Sequence, residues 1–336
     1  MNRVLASFVV LCVIGVFVSP VFADETNSAN KKFPFRPNAR GVLKTTLPAR
    51  QTDEGYSRHD MIEVLSNLPK ADWAKNVRYH RDIYTLKFEY KPLRMIWVDM
   101  PQKSGKLQRK AIYYLVYGVT NVPVQDQKDP PQFGWMIQVK KTSKKVAKKD
   151  SEEKSEDEVK KEPEMWIPKF EDRKISFIPE FVLESPEYGK AYPDRVIPLA
   201  MPAIRAREDR LLPPWVNPKT TVPRRTLLNS VQMTREIPVG ETFWGVAVWE
   251  EIDPRIDRFN IYVQGLTNAY KWKDLKEAYV PGKEHRDEYR KMELKTLKLN
   301  FWRPGDRFDP EESEIRVGSR GEPDYKWLYM PSLNGK

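Results

Sequence analysis

The sequence predicts a mainly β protein, an antiparallel immunoglobulin-like β-sandwich with few short helices. Three observations predict it. Apolar and polar residues alternate with a period of two in several segments, among them Tyr84, Leu86, Phe88 and Tyr90 against Thr85, Lys87 and Glu89. Two runs, Ala111–Thr120 and Phe243–Trp249, are aromatic, β-branched and apolar on both faces, as strands covered on both sides are. Helical periodicity is scarce, and strands do not alternate with helices as a parallel sheet requires.

The remaining strands follow in order. Pro92 interrupts the first alternating run, and Leu93–Val98 makes the next. Phe133–Val139 and Ile175–Leu183 come after the long apolar run. Phe259, Ile261 and Val263 alternate with Asn260, Tyr262 and Gln264, and Leu297, Leu299 and Phe301 with Lys298, Asn300 and Trp302. Two short helices are expected: one within Ser57–Trp73, with Ser57 as cap, and one within Ile204–Leu212, confined by Pro202, Pro213 and Pro214. "GVTN" (Gly118–Asn121) and "GLTN" (Gly265–Asn268) each end an aromatic, β-branched strand and suit a strand end that turns sharply.

The first 23 residues read as a secretory signal peptide. Arg3 is the positive n-region, Val4–Val18 an apolar core of about 15 residues, and Val21-Phe22-Ala23 the cleavage pattern. The expectation is an exported protein, periplasmic, cell-surface or extracellular. The only cysteine, Cys12, lies in that leader, so the exported chain is expected to carry no disulfide, thiolate metal site or cysteine nucleophile. No later apolar run approaches a membrane helix, and no transmembrane span is expected.

Residues 24–55 read as a flexible basic arm. The net charge of the whole chain is +11, and residues 24–110 alone hold 18 basic against 10 acidic groups. Such an arm clings to anionic headgroups or acidic polysaccharide, or is a solvated leader to the domain. Residues 56–310 form the expected sandwich domain and 311–336 a C-terminal extension. Within the domain, residues 140–164 hold 9 Lys and 8 acids with no aromatic side chain. That composition cannot bury enough apolar surface to offset ordering entropy, so the segment is expected to be a disordered insertion between two strands.

Signatures of chemistry are few. His59, His80 and His285 are scattered, without metal-ligand spacing. No nucleophile elbow, phosphate loop or dinucleotide fingerprint is present, nor any nucleic-acid motif, so no cofactor and no nucleic acid are expected. Glu250, Glu251, Asp253 and Asp257 cluster in "WEEIDPRIDRF" between two strands. Such carboxylates suit a calcium site, with Asp253 and Asp257 the candidates, or the acid pair of a glycan-active enzyme. They equally suit a turn held by salt bridges to Arg255 and Arg258. Ten tryptophans are a further lead. Most are expected in the core, while Trp302 and Trp272 are candidates for exposed sugar-stacking platforms, with Arg303 as a hydrogen-bond donor to hydroxyls.

Three stretches carry a resemblance. "FEYKPLRMIWVDMPQKSGKLQRKAIYYLVYGVTN" (Phe88–Asn121), "WGVAVWEEIDPRIDRFNIYVQGLTNAYKW" (Trp244–Trp272) and "KTLKLNFWRPGD" (Lys295–Asp306) together resemble a family of exported proteins of planctomycete-type bacteria with no assigned function. The resemblance implies an exported β-domain and brings no ligand or catalytic residue. The expected function is a non-enzymatic binding or scaffolding module at the cell envelope. Its partner would be an envelope protein or a polysaccharide. The alternatives are a glycan-active enzyme and a calcium-stabilised domain.

Overall fold

A computed structural model describes residues 43–46, 81–128, 131–140, 166–208, 226–274, 290–303, 315–318 and 321–333. The leader, most of the arm, the helix expected within Ser57–Trp73 and segment 141–165 lie outside these residues. The chain divides into Met1–Ala39 and Arg40–Lys336, and every described element belongs to the second unit. That unit is mainly β, and all its paired strands are antiparallel.

One sheet contains β1 (Lys44–Thr46), β3 (Lys87–Tyr90), β4 (Arg94–Pro101), β5 (Leu107–Thr120) and β12 (Thr242–Glu250). A second contains β9 (Glu180–Ser185), β10 (Lys190–Pro193), β13 (Arg258–Gln264), β14 (Tyr270–Asp274), β15 (Arg290–Trp302), β16 (Arg316–Val317) and β17 (Tyr325–Met330). Smaller ladders join β2 (Ile83–Thr85) and β7 (Trp166–Glu171) to β6 (Gly134–Lys140), and β8 (Ile175–Phe177) to β11 (Arg235–Ile237).

The two-faced apolar runs have a direct explanation. Successive side chains of a strand point to opposite faces. In β5, Tyr113, Leu115, Tyr117 and Val119 join a large cluster with Phe259, Ile261, Leu299 and Phe301 of the second sheet. The two sheets therefore share one core. Ile112, Tyr114 and Val116 face the other way. They pack with Trp244, Val246 and Val248 of β12 beneath a cover formed by Ile197, Ala200, Met201, Ile204 and Leu227. Part of this cover is helix α1 (Met201–Glu208). Pro202 sits in its first turn, where a missing N–H costs no helical hydrogen bond. Helix α2 (Ser230–Met233) is one turn with a reciprocal cap between Asn229 and Gln232.

The tetrapeptide echo divides in two. Gly265 follows β13 with φ of 95°, and a Cβ there would lie 2.1 Å from the Ile178 carbonyl oxygen. It is a true strand-end glycine. Gly118 instead lies inside β5, opposite Trp244, whose ring lies over it. The glycine there makes room for an indole, not for a turn. The two asparagines do serve alike. Asn121 donates from its amide to the carbonyls of Arg173 (2.9 Å) and Ile237 (3.0 Å), and Asn268 to that of Asp82 (3.0 Å).

Two boundaries read differently in three dimensions. Lys44–Thr46, inside the segment read as an arm, pairs with β3, and Thr46 is buried. The segment after residue 310, read as an extension, supplies β16 and β17, both paired to β15. Trp327 and Tyr329 of β17 are buried. Gln264 of β13 helps to hold the chain end, donating to the Pro331 carbonyl (3.0 Å) and accepting from the Leu333 N–H (3.1 Å). Between β6 and β7, Lys140 pairs with Trp166, so segment 141–165 links adjacent strands. Among the described residues, no helix is long and apolar enough to cross a membrane.

Candidate functional site

Glu250, Glu251, Asp253, Asp257, Trp302 and Arg303 converge at one end of the two sheets. Glu250 closes β12, Arg258 opens β13, and Trp302 closes β15 directly opposite Arg258. The intervening loop is a turn. Asp253 precedes Pro254, and the Ile256 N–H donates to the Asp253 carbonyl at 3.2 Å.

Each carboxylate of that loop meets a cation. Arg195 Nη1 donates to Glu250 Oε1 at 3.1 Å. Lys110 Nζ donates to Glu251 Oε1 at 3.0 Å, and this hydrogen bond holds the Glu251 carboxyl below its usual range. Glu251 has φ of 60°, in the left-handed region. Asp253 accepts from Arg255 through Nε (3.0 Å), Nη2 (2.8 Å) and the backbone N–H (3.1 Å), with Lys190 at 3.5 Å. The Arg255 fork is the main reason that the Asp253 carboxyl lies well below the ordinary carboxylate range. Asp257 pairs with Arg303 at 3.4 Å.

Arg303 is 6% exposed and turned into the loop. Its Nη2 donates to the Pro254 carbonyl and to Asp257 Oδ1, and its backbone N–H donates to the Asp257 carbonyl at 2.8 Å. It braces the turn. Trp302 is half-buried, with the Arg316 guanidinium 5.5 Å from its ring centroid. Trp272 is also half-buried, and Arg290 stacks 3.3 Å from its ring centroid. Trp272 pairs with Met292, ten residues or about 33 Å of extended backbone from Trp302 along β15. They do not form one platform. Trp244, Trp249 and Trp327 are buried, as expected of core aromatics. Among the described residues, no group of three or more His, Cys, Asp or Glu is arranged to hold a metal.

Two buried polar sites escaped sequence reasoning. Glu208, fully buried at the end of α1, accepts from Lys91 Nζ (2.9 Å), Arg94 Nη1 (2.9 Å) and Tyr114 Oη (3.0 Å). Asp194, just after β10, accepts from the Val248 N–H at 2.7 Å and from the Ser230 hydroxyl. Neither lies in a motif, and each forms from segments distant in sequence.

Asp194 has a testable consequence. Burial is the largest influence on its carboxyl and lifts its pKa from 3.8 to about 6, against the lowering effect of its hydrogen bonds. The native state thus holds a proton that the unfolded chain has released between these values. The stabilisation is full below pH 4 and is lost as pH rises through 6. Two units correspond to about 3 kcal/mol. Asp194→Asn keeps an acceptor for Val248 and a partner for Ser230 without the charge. Its stability relative to the parent should rise by about 3 kcal/mol from pH 4 to pH 7 in melts across that range. A difference independent of pH would refute the assignment.

No protein-family model, curated protein or solved structure matches this chain.

Proposed function

We propose that the chain is a non-enzymatic binding or scaffolding domain, exported to the cell envelope and built as an immunoglobulin-like sandwich. The ion pairing of the Glu250–Asp257 loop carries this reading. A glycosidase needs one carboxyl kept protonated near neutral pH and a second free to attack or to activate water. Here Glu251 and Asp253 are shifted the opposite way, and cations occupy all four carboxylates. The loop, with its arginine brace, behaves as a salt-bridged turn between β12 and β13. The aromatic core shared by the two sheets supports a sandwich that stands on packing alone.

The test incubates the chain with fractionated envelopes and isolated envelope glycans. Retention on the envelope fraction without release of sugar products is expected. Product release that disappears in Glu250→Gln/Glu251→Gln would overturn the reading. Deleting residues 26–42 tests whether the basic arm provides the retention. The deletion stops short of β1, whose removal would strip a strand from the first sheet.

A further inference from the structure

The hairpin of β4 and β5 reaches beyond its sheet. β12 pairs with β5 only as far as Ile112, and β3 only with the opposite end of the strand. From Leu107 to Ala111, β5 pairs with β4 alone. This two-stranded ribbon extends about 15 Å past the sheet before its turn. The turn is tight: the Gly105 N–H donates to the Gln102 carbonyl (2.9 Å), the Gln102 N–H to the Lys106 carbonyl (2.8 Å), and Gly105 has φ of 78°. Every residue from Pro101 to Arg109 is exposed.

The register sorts its side chains. Trp97, Asp99, Pro101, Leu107 and Arg109 share one face, since Trp97 pairs with Ala111, Asp99 with Arg109 and Pro101 with Leu107. Leu107 is 71% exposed and Trp97 38%. Asp99 lies opposite Arg109, whose guanidinium is 5.7 Å from the Trp97 ring centroid. Beyond that pair the turn adds Lys103 and Lys106, and no acid occurs from Met100 to Lys110. An isolated ribbon gains nothing for the fold by presenting leucine to water at its tip. A leucine and a proline at the end of a ribbon whose turn carries two lysines match the surface of an anionic bilayer, which takes the charges at the headgroups and the leucine at the acyl boundary. A soluble polyanion would use the lysines and leave the leucine wet.

We propose that the β4–β5 hairpin docks the domain on an anionic lipid surface, with Leu107 inserting and Lys103 and Lys106 contacting headgroup phosphates. The inference rests on the envelope-binding reading for its setting, though not for the identity of any other partner.

Flotation with mixed phosphatidylglycerol–phosphatidylcholine vesicles, against pure phosphatidylcholine, tests it on the full chain. Binding is expected only to the anionic vesicles. Lys103→Glu/Lys106→Glu should weaken it at least about 30-fold, and Leu107→Asp about 10-fold. All these positions are exposed, so melting temperatures should not change. A fluorophore at Ser104→Cys, in a Cys12→Ser background, should shift to the blue on binding, whatever the leader does. Flotation without that shift, or undiminished by the variants, would overturn the hairpin and leave the envelope reading intact. Equal binding of parent and Leu107→Asp to an acidic polysaccharide, with none to vesicles, would assign the lysines to a polyanion and overturn lipid docking. Loss of all envelope retention by the parent would instead defeat the broader reading.

Discussion

Val116→Asp should yield no folded protein. Val116 is 1% exposed at the centre of β5, opposite Val246, with its side chain beneath the cover of Ile197, Met201 and Ile204. An aspartate there has either to bury an unpaired charge or to keep its proton against solution pH. Both cost several kcal/mol, comparable to a typical net stability of about 5–15 kcal/mol. Val116→Ala separates this from a mere packing loss: it should remain folded and lose about 1–3 kcal/mol. Soluble yield and near-ultraviolet circular dichroism read the outcome. A normally folded Val116→Asp chain would mean that the second face of β5 is not covered.

Glu208→Ala is the other substitution of large effect. The carboxylate lies between Lys91 and Arg94, whose side chains are 4% and 8% exposed, and also accepts from Tyr114. Removing it withdraws the anion from two buried cations and leaves a void under α1. Breaking a buried ion pair from one side costs about 3–5 kcal/mol. For a domain of this size, that lowers the melting temperature by at least about 6 °C. Glu208→Gln fills the same space and keeps one of the two acceptor oxygens, so it should lose less. An unchanged melting temperature in Glu208→Ala would show that α1 is not anchored through this residue.

The strands most legible in the sequence were those whose two faces differ in a simple way or are both apolar. β13 alternates because one face is in the shared core and the other is not. β5 and β12 are apolar throughout because both their faces are covered. The strands that escaped have weaker patterns. β7, "WIPKFE", contains a proline, and β17, "YKWLYM", sets its aromatics on one face but Leu328 and Met330 on the other, so Lys326 alone marks a polar side. Their strand character comes from the neighbour they pair with. The candidate loop was legible as a cluster of charges, and its arginines were visible beside its acids. Lys110, Lys190 and Arg195 complete the neutralisation from other segments, and no spacing rule reaches them.

The sequence by itself determined a β-rich chain with a two-faced central strand and a turn at Asp253-Pro254, because period-two patterning and proline are local signals. Tertiary structure alone decided which cation meets which acid, that Trp272 and Trp302 stand apart, and that Glu208 and Asp194 are buried. It also decided that the ribbon carrying Leu107 outruns its sheet. Each of these depends on register between strands far apart in the chain, and pairing at that range is set by packing of the whole core.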